Sequence, residues 1–260
     1  MYQVRYIHCW RVKLSRVDLH IHSSLSACGE DIMSPQLILK QADKNKIDLI
    51  AITDHNTIDH SILLNKLSKG TKVNTIFGVE LTTKEEVHLL GYFPNEESIR
   101  KMGLKIKECL PILENKPSFF GYQLVYDYHG EIMEIDHLLR QNAMQISLDE
   151  LVEFIHSIGG IAVPAHIERA YCGLINQIGF LDPESNFDAV EVSKFQWKKD
   201  NYKSGDLLKG FPVISGSDSH FLEDIGKFFM ETKRIKEITE VTNFNSLKKY
   251  LRNIKFEKYS

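Results

Sequence analysis

Apolar positions recur along this chain in short runs that meet, again and again, a histidine or an acidic residue. Val17-Asp-Leu-His-Ile-His22 alternates, so Asp18, His20 and His22 share one face of a strand and Leu19 and Ile21 the other. Ile47-Asp-Leu-Ile-Ala-Ile-Thr53 is apolar at nearly every position, as strands buried on both faces are. Val73–Val79, Val87–Phe93, Gly160–Pro164, Ala189–Val192 and Pro212–Ser215 complete seven strand-like runs, and Phe228–Ile235 predicts a final short one. Helical patterns stand between them. Ser34-Pro35 caps and starts a helix to about Lys46, Gly70 stops a second over Thr57–Lys69, and Ser147-x-x-Glu150 is a capping box that opens a helix to Ser157.

Residues 94–146 break this rhythm. A helix over Glu96–Leu113 leads to Lys116-Pro117, and Tyr122–Asp127 and Glu131–Ile135 flank Tyr128-His-Gly130 as a hairpin. This stretch reads as an insertion after the fourth strand rather than a separate domain, and Asn243–Arg252 predicts a terminal helix. Strand and helix alternating over 260 residues predict a single α/β domain spanning 1–260: a barrel of parallel strands with its site at one mouth.

Composition narrows the function classes. The 32 basic and 35 acidic side chains leave a net charge of −3, which argues against a footprint for long nucleic acid but leaves room for a local basic mouth. Cys9, Cys28, Cys109 and Cys172 are far apart, a usage that suits a reduced, cytoplasmic protein rather than a disulfide framework. Met1–Leu14 carries Arg5, His8, Arg11 and Lys13 and lacks an apolar signal core, and no run reaches the roughly 18–20 apolar residues of a membrane span. The oligomeric state is not encoded in any of these features.

The candidate chemistry lies where the strand-like runs meet polar residues. Taken one at a time, His88 is a buried hydrogen-bonded histidine, His55 a turn residue beside an N-capping Asp54, and Glu80 a solvated loop carboxylate. Six of the eleven histidines are placed this way, however, and separate explanations for all six are improbable. His20 and His22, at i and i+2, can grip one ion, while Glu80 and Asp218 are natural bridging or terminal carboxylates. An imidazole-rich set favours Zn, Mn or Fe over Mg or Ca. Two such ions, about 3.5–4 Å apart, can hold a hydroxide near neutral pH and stabilise both oxygens of an in-line displacement at phosphorus. His8, His60, His129, His137 and His156 have no such placement and read as surface or structural residues.

Together, Asp18-Leu-His-Ile-His-Ser23, Ile52-Thr-Asp-His-Asn56, Gly78-Val-Glu80, His88-Leu-Leu-Gly-Tyr92, Pro164-Ala-His166 and Ser217-Asp-Ser-His220 resemble the PHP (polymerase and histidinol phosphatase) family. The similarity runs from about residue 16 to 225, with an order and spacing like those of stand-alone bacterial phosphoesterases of that family. The resemblance implies a distorted seven-stranded β/α (TIM-like) barrel and two or three divalent transition-metal ions. One ion would be held by His20, His22, Glu80 and Asp218. A second would share Glu80 and add His88 and His166, and a third would take His55 and His220. The chain departs from the family at Ser26-Ala-Cys-Gly29, where Cys28 is either a thiolate ligand of the third ion or an inert cysteine. It departs again at His166-Ile-Glu-Arg169, where the usual proline is missing but the arginine keeps its offset.

Arg169 is expected to make a bidentate phosphate contact, with a salt bridge to Glu168 or another neighbour as the competing role, and Asp218 is expected to act in catalysis as well as in metal binding. Lys194 is either a second phosphate contact or part of a solvated run with Lys198-Lys199. The expected activity is hydrolysis of a phosphomonoester, nucleotide or short oligonucleotide by a metal-bridged hydroxide, with 5′-to-3′ exonuclease action included. Histidinol phosphate is less favoured, because Cys28 breaks the histidine-rich first motif of that branch. An amidohydrolase acting on C–N bonds also opens with His-x-His, but no lysine here ends a ligand-bearing strand. A non-catalytic metal-bound interaction module is the third reading, and the near-complete ligand set weighs against it.

Overall fold

The computed structural model describes residues 15–232 and 241–257. In chain order the elements are β1 (Arg16–Ile21), α1 (Pro35–Lys44), β2 (Leu49–Ile52), α2 (Asp59–Leu67), β3 (Asn74–Thr75), β4 (Phe77–Thr82), β5 (His88–Phe93), α3 (Glu96–Cys109), α4 (Pro117–Phe120), β6 (Leu124–Tyr126), β7 (Ile132–Ile135), α5 (Leu148–Ser157) and β8 (Ile161–Pro164). Then follow α6 (Leu174–Ile178), β9 (Val190–Glu191), α7 (Lys194–Lys199), β10 (Leu207–Leu208), β11 (Phe211–Ile214), a 3-10 turn (Leu222–Asp224), β12 (Met230–Glu231) and α8 (Phe244–Glu257). The fold is mixed α/β. No helix among the described residues is long and apolar enough to cross a membrane.

Local sequence explains the element ends. Ser34 accepts a bond from Leu37 N at the start of α1, with proline in the first turn, and Ser147 and Glu150 form the full reciprocal capping box of α5. Helix α3 stops at Cys109 rather than running to Leu113, as Leu110 turns extended just before Pro111, which disfavours helical backbone at the residue it follows. The expected strand over Val73–Val79 is two pieces, β3 and β4, divided at Ile76. The hairpin of the insertion is β6 with β7, and the predicted final strand is Met230–Glu231, its remaining positions 233–235 lying outside the described residues.

The strands form ladders β12-β1-β2-β3, β4-β5-β8, β10-β11-β9 and β6-β7, and none closes into a barrel. Nor are they all parallel. β1–β2, β2–β3 and β9–β11 are parallel, but β5 runs antiparallel to both β4 and β8. The connection Thr83–Val87 is too short for a crossover, which needs a dozen or more residues, so β5 must turn straight back on β4. The reversal places Thr82 opposite His88 and Leu89 opposite Pro164. His88 therefore opens its strand instead of closing it, at the same edge where β4 and β8 end.

Isolated backbone hydrogen bonds link the ladders, among them Asn56 N to Glu80 O at 2.8 Å, Ile167 N to Glu191 O at 2.9 Å, and His22 N to Ser219 O at 3.0 Å. Across the interior the fully buried Tyr92 of β5 donates its hydroxyl to Leu19 O of β1 at 3.1 Å, giving a buried phenol the partner it needs. Apolar clusters pack around this frame. Leu247, Tyr250 and Leu251 of α8 lie against Leu19, Val163 and Ile214, while Ile99 and Met102 of α3 and Leu151 and Ile155 of α5 cover Val79, Leu81 and Leu89.

Candidate metal centre

Glu80, the fourth residue of β4, is buried and lies at the focus of five imidazoles. His88 Nδ1 is 2.9 Å from its Oε1 and His55 Nδ1 is 3.1 Å from its Oε2. His20 Nε2 lies 3.5 Å from Oε1, His166 Nε2 3.3 Å from Oε1 and His22 Nε2 3.2 Å from Oε2. Asp218 Oδ1 meets the same histidines from the other side, 3.4 Å from His20 Nε2 and 3.3 Å from His22 Nε2. Two nitrogen or oxygen donors, each about 2.1 Å from one tetrahedral zinc, are roughly 3.4 Å apart. Most of these separations thus suit donors sharing a cation better than donors bonded to each other.

Unsatisfied polarity points the same way. His20 Nε2, His55 Nδ1, His166 Nε2 and Asp218 Oδ1 are buried and have no hydrogen-bond partner among the described residues. Leaving such atoms unpaired costs about 1–3 kcal/mol each. Four of them converging on one place fit a cation-binding site, and the donor types, imidazole and carboxylate, suit Zn, Mn or Fe.

The outer bonds fix which ring nitrogen faces inward. His20 Nδ1 is 2.9 Å from Glu191 Oε2, which also accepts His166 N at 3.1 Å. Ser26 Oγ donates to Asp54 Oδ1 at 2.7 Å, so it accepts from His22 Nδ1 at 3.0 Å. His220 Nδ1 donates to Asp218 O at 2.9 Å. The Nε2 atoms of His20, His22 and His220 are all left free for a metal. Close approach is essential here, because a Cβ on Gly216 would come within 2.5 Å of His20 Cβ. Asn56, His166 and Asp218 have φ of 44°, 28° and 48°, left-handed backbone held by the ligand loops.

Without metal, protons share out the charge. Burial works against a charged His20, but Glu191, Glu80 and Asp218 more than offset it and hold the ring well above the ordinary histidine range. His22 is likewise raised to about 9, burial being outweighed by the adjacent Asp218 and Glu80 carboxylates. Burial holds His55 well below its usual value and, with the His22 charge, lowers His220 to about 4. Glu80 and Asp218 resist the upward push of burial because the histidines hold both well below the carboxylate range. Metal uptake must therefore displace protons from this cluster.

All eight histidine and acidic candidates meet in this one cluster. Their donor atoms group as His20–His22–Asp218, His20–Glu80–His166 and His22–His55–Glu80. Cys28 joins His22 and His220 in a further group. Cys28 is exposed as a residue, but burial, with the Glu80 charge, pushes its thiol up to about 12, and a nearby cation would reverse that field. Arg169 is ion-paired with Asp218 Oδ2, not with Glu168, whose carboxylate accepts Ser193 N at 3.1 Å. Burial works against the Arg169 cation, but Asp218 more than offsets this and raises it above its ordinary range. Lys194 donates to Ser217 O at 2.8 Å, next to Asp218.

Sequence reasoning passed over several residues around the site. Glu191 lay in the Ala189–Val192 run without a role, Asp54 read as a helix N-cap although Ile58 holds that position, and Ser26 and Cys172 had no role. His60 is fully buried: Ser23 Oγ donates to Asp54 Oδ2 at 2.6 Å and accepts from His60 Nδ1 at 2.7 Å, while His60 Nε2 accepts Tyr126 N at 2.9 Å. It thereby ties the β6–β7 hairpin to the site. Only the short spacing of Ser23 and Ser26 from His22 hinted at such support.

Comparison with known proteins places the chain. The PHP domain profile matches residues 18–191. An uncharacterised protein of Methanocaldococcus jannaschii is 38% identical over 90 residues, covering 32% of this chain and 52% of that protein. The lesion-specific endonuclease Q of Pyrococcus furiosus superposes with a TM-score of 0.61 at 19% identity, over 91% of this chain and 55% of its own. Endonuclease Q bound to a 27-mer duplex with an abasic lesion at its active site gives a TM-score of 0.64 at 18% identity, over 92% and 57%. The chain thus spans about half the length of these relatives.

Proposed function

We propose that this chain, which belongs to the PHP domain family, is a metal-dependent phosphoesterase. The observation that carries this reading is the set of four unpartnered, buried donor atoms converging around Glu80 and Asp218. His20, His22, Glu80 and Asp218 would hold one ion, His88 and His166 would share Glu80 around a second, and His55, His220 and Cys28 would serve a third. When bound, such ions supply Lewis acidity toward a phosphoryl oxygen and a nucleophilic water near neutral pH.

The protein's own groups do the rest. Glu191 and the Ser26–Asp54 pair fix the rings of His20 and His22. Asp218 presents one oxygen to the histidines and the other to Arg169, which is in place to transfer guanidinium bonds to a phosphate oxygen. Lys194 adds positive charge on the same side. With a net charge of −3, these two cations support a small basic mouth and therefore a phosphomonoester, nucleotide or short oligonucleotide as substrate. Endonuclease Q, crystallised with an abasic lesion in duplex DNA, makes a damaged strand a further substrate to include.

We also read the ladders around the site as one distorted seven-stranded barrel, in the order β1, β2, β4, β5, β8, β9 and β11, a reading supported by the backbone hydrogen bonds across their seams. The free Cys28, Cys109 and Cys172 suit a cytoplasmic location.

The test is a screen of zinc- or manganese-loaded protein against phosphomonoesters, cyclic nucleotides and labelled oligonucleotides with and without lesions. Hydrolysis that chelator abolishes and metal restores is expected. Hydrolysis that survives both chelation and paired His20→Ala, His22→Ala substitution would overturn the assignment.

A further inference from the structure

Cys172 belongs to no strand and no motif, yet the fold brings it to two of the histidines around Glu80. After β8 the chain coils tightly: Arg169 N bonds His166 O at 2.8 Å and Gly173 N bonds Arg169 O at 3.0 Å. Tyr171 takes a left-handed φ of 71°, and a Cβ on Gly173 would come within 2.5 Å of Arg169 O. The coil turns back over the start of β5, where Cys172 O accepts His88 N at 3.0 Å. That bond holds the Cys172 side chain beside the rings, with Sγ 3.8 Å from His166 Nδ1. Donor atoms of His88, His166 and Cys172 all lie within 4.8 Å of one another.

A thiolate sulfur about 2.3 Å and an imidazole nitrogen about 2.1 Å from one tetrahedral zinc lie roughly 3.6 Å apart. The observed 3.8 Å is close to that spacing. His166 meets Glu80 with Nε2 and the thiol with Nδ1, so both edges of its ring face donor atoms.

We propose that Cys172 is a metal ligand that, together with His88 and His166, holds a thiophilic divalent ion. Binding through His166 Nδ1, with Nε2 kept for the Glu80 ion, converts the thiol to a thiolate and the ring to a bridging imidazolate, and both protons leave to solvent. A soft sulfur donor biases this position toward zinc or cobalt over manganese or magnesium. The inference rests on the reading of the Glu80 cluster as a metal centre. The alternative is that Cys172 is an ordinary loop cysteine whose thiol bonds weakly to His166.

The experiment uses cobalt as a spectroscopic probe in the full-length Cys28→Ser protein, which removes the other thiol near the histidines among the described residues. Thiolate-to-cobalt charge-transfer absorption is expected there, and its loss is expected in Cys28→Ser/Cys172→Ser. The metal-free melting temperature, measured in parallel, should match between the two because Cys172 is only partly buried. Cobalt uptake with ligand-field bands but no charge transfer overturns the proposal and leaves the metal centre standing. Charge transfer that persists in the double variant also overturns it. No uptake by either protein, or by wild type, overturns both the proposal and the reading beneath it.

Discussion

Glu191 Oε2 lies 2.9 Å from His20 Nδ1, with both side chains buried, so a carboxylate from β9 sets the orientation and tautomer of a histidine on β1. The bond commits Nε2 to the metal side and raises the basicity of the ring. Glu191→Gln keeps an acceptor in place but removes the charge, and Glu191→Ala removes both. Metal affinity, followed by competition with a chromophoric chelator, should fall about 10-fold in the first and toward 100-fold in the second. Equal affinity in all three proteins would show that Glu191 only packs.

Elemental analysis of protein purified without chelator should find two or three transition-metal ions per chain. His20→Ala with His22→Ala should empty the position shared with Asp218 and abolish turnover. Cys28→Ser should remove about one ion and leave the others, since a hydroxyl is a far poorer zinc ligand than a thiolate. An unchanged ion count in Cys28→Ser would make Cys28 a bystander.

Arg169→Ala should weaken catalysis more than folding. Its side chain is 37% exposed and its partner is the Asp218 oxygen turned away from the histidines. Loss of a charge-assisted contact to phosphate is worth about 1.5–3 kcal/mol, or roughly 10- to 150-fold in kcat/KM. A large fall in melting temperature with unchanged kinetics would make the Asp218 pair structural instead.

The buried His60 predicts a pH dependence. Burial lowers its pKa, although Asp54 and Asp59 pull the other way, and its Nε2 must stay unprotonated to accept Tyr126 N. The unfolded chain takes up this proton near pH ~6.5 while the folded chain resists, so stability is full above that pH and falls as the solution is acidified. Melting temperatures of chelator-treated protein, taken from about pH 7.5 to about 5.5, should drop more steeply in wild type than in His60→Gln. Parallel curves would remove His60 as a contributor.

Much of the site was legible because its chemistry is local. The i, i+2 pair His20 and His22 needs only a strand to align it, and the Ser34 and Ser147–Glu150 caps act within one helical turn. Glu191 and Cys172 were not legible in this way. Glu191 meets His20, and Cys172 meets His88, only through folding, and the spacing of Cys172 six residues after His166 says nothing by itself of the coil that brings the two together.

The sequence by itself determined which side chains could bind metal, the strands and helices that carry them, and the α/β class. Tertiary structure decided direction and partnership. Alternation of apolar and polar residues reads the same along a strand in either sense, so it could not say that β5 runs backwards and presents His88 from its first residue. Nor could it say which oxygen of Asp218 faces the histidines and which faces Arg169, because that choice depends on through-space electrostatics between loops joined only in the folded chain.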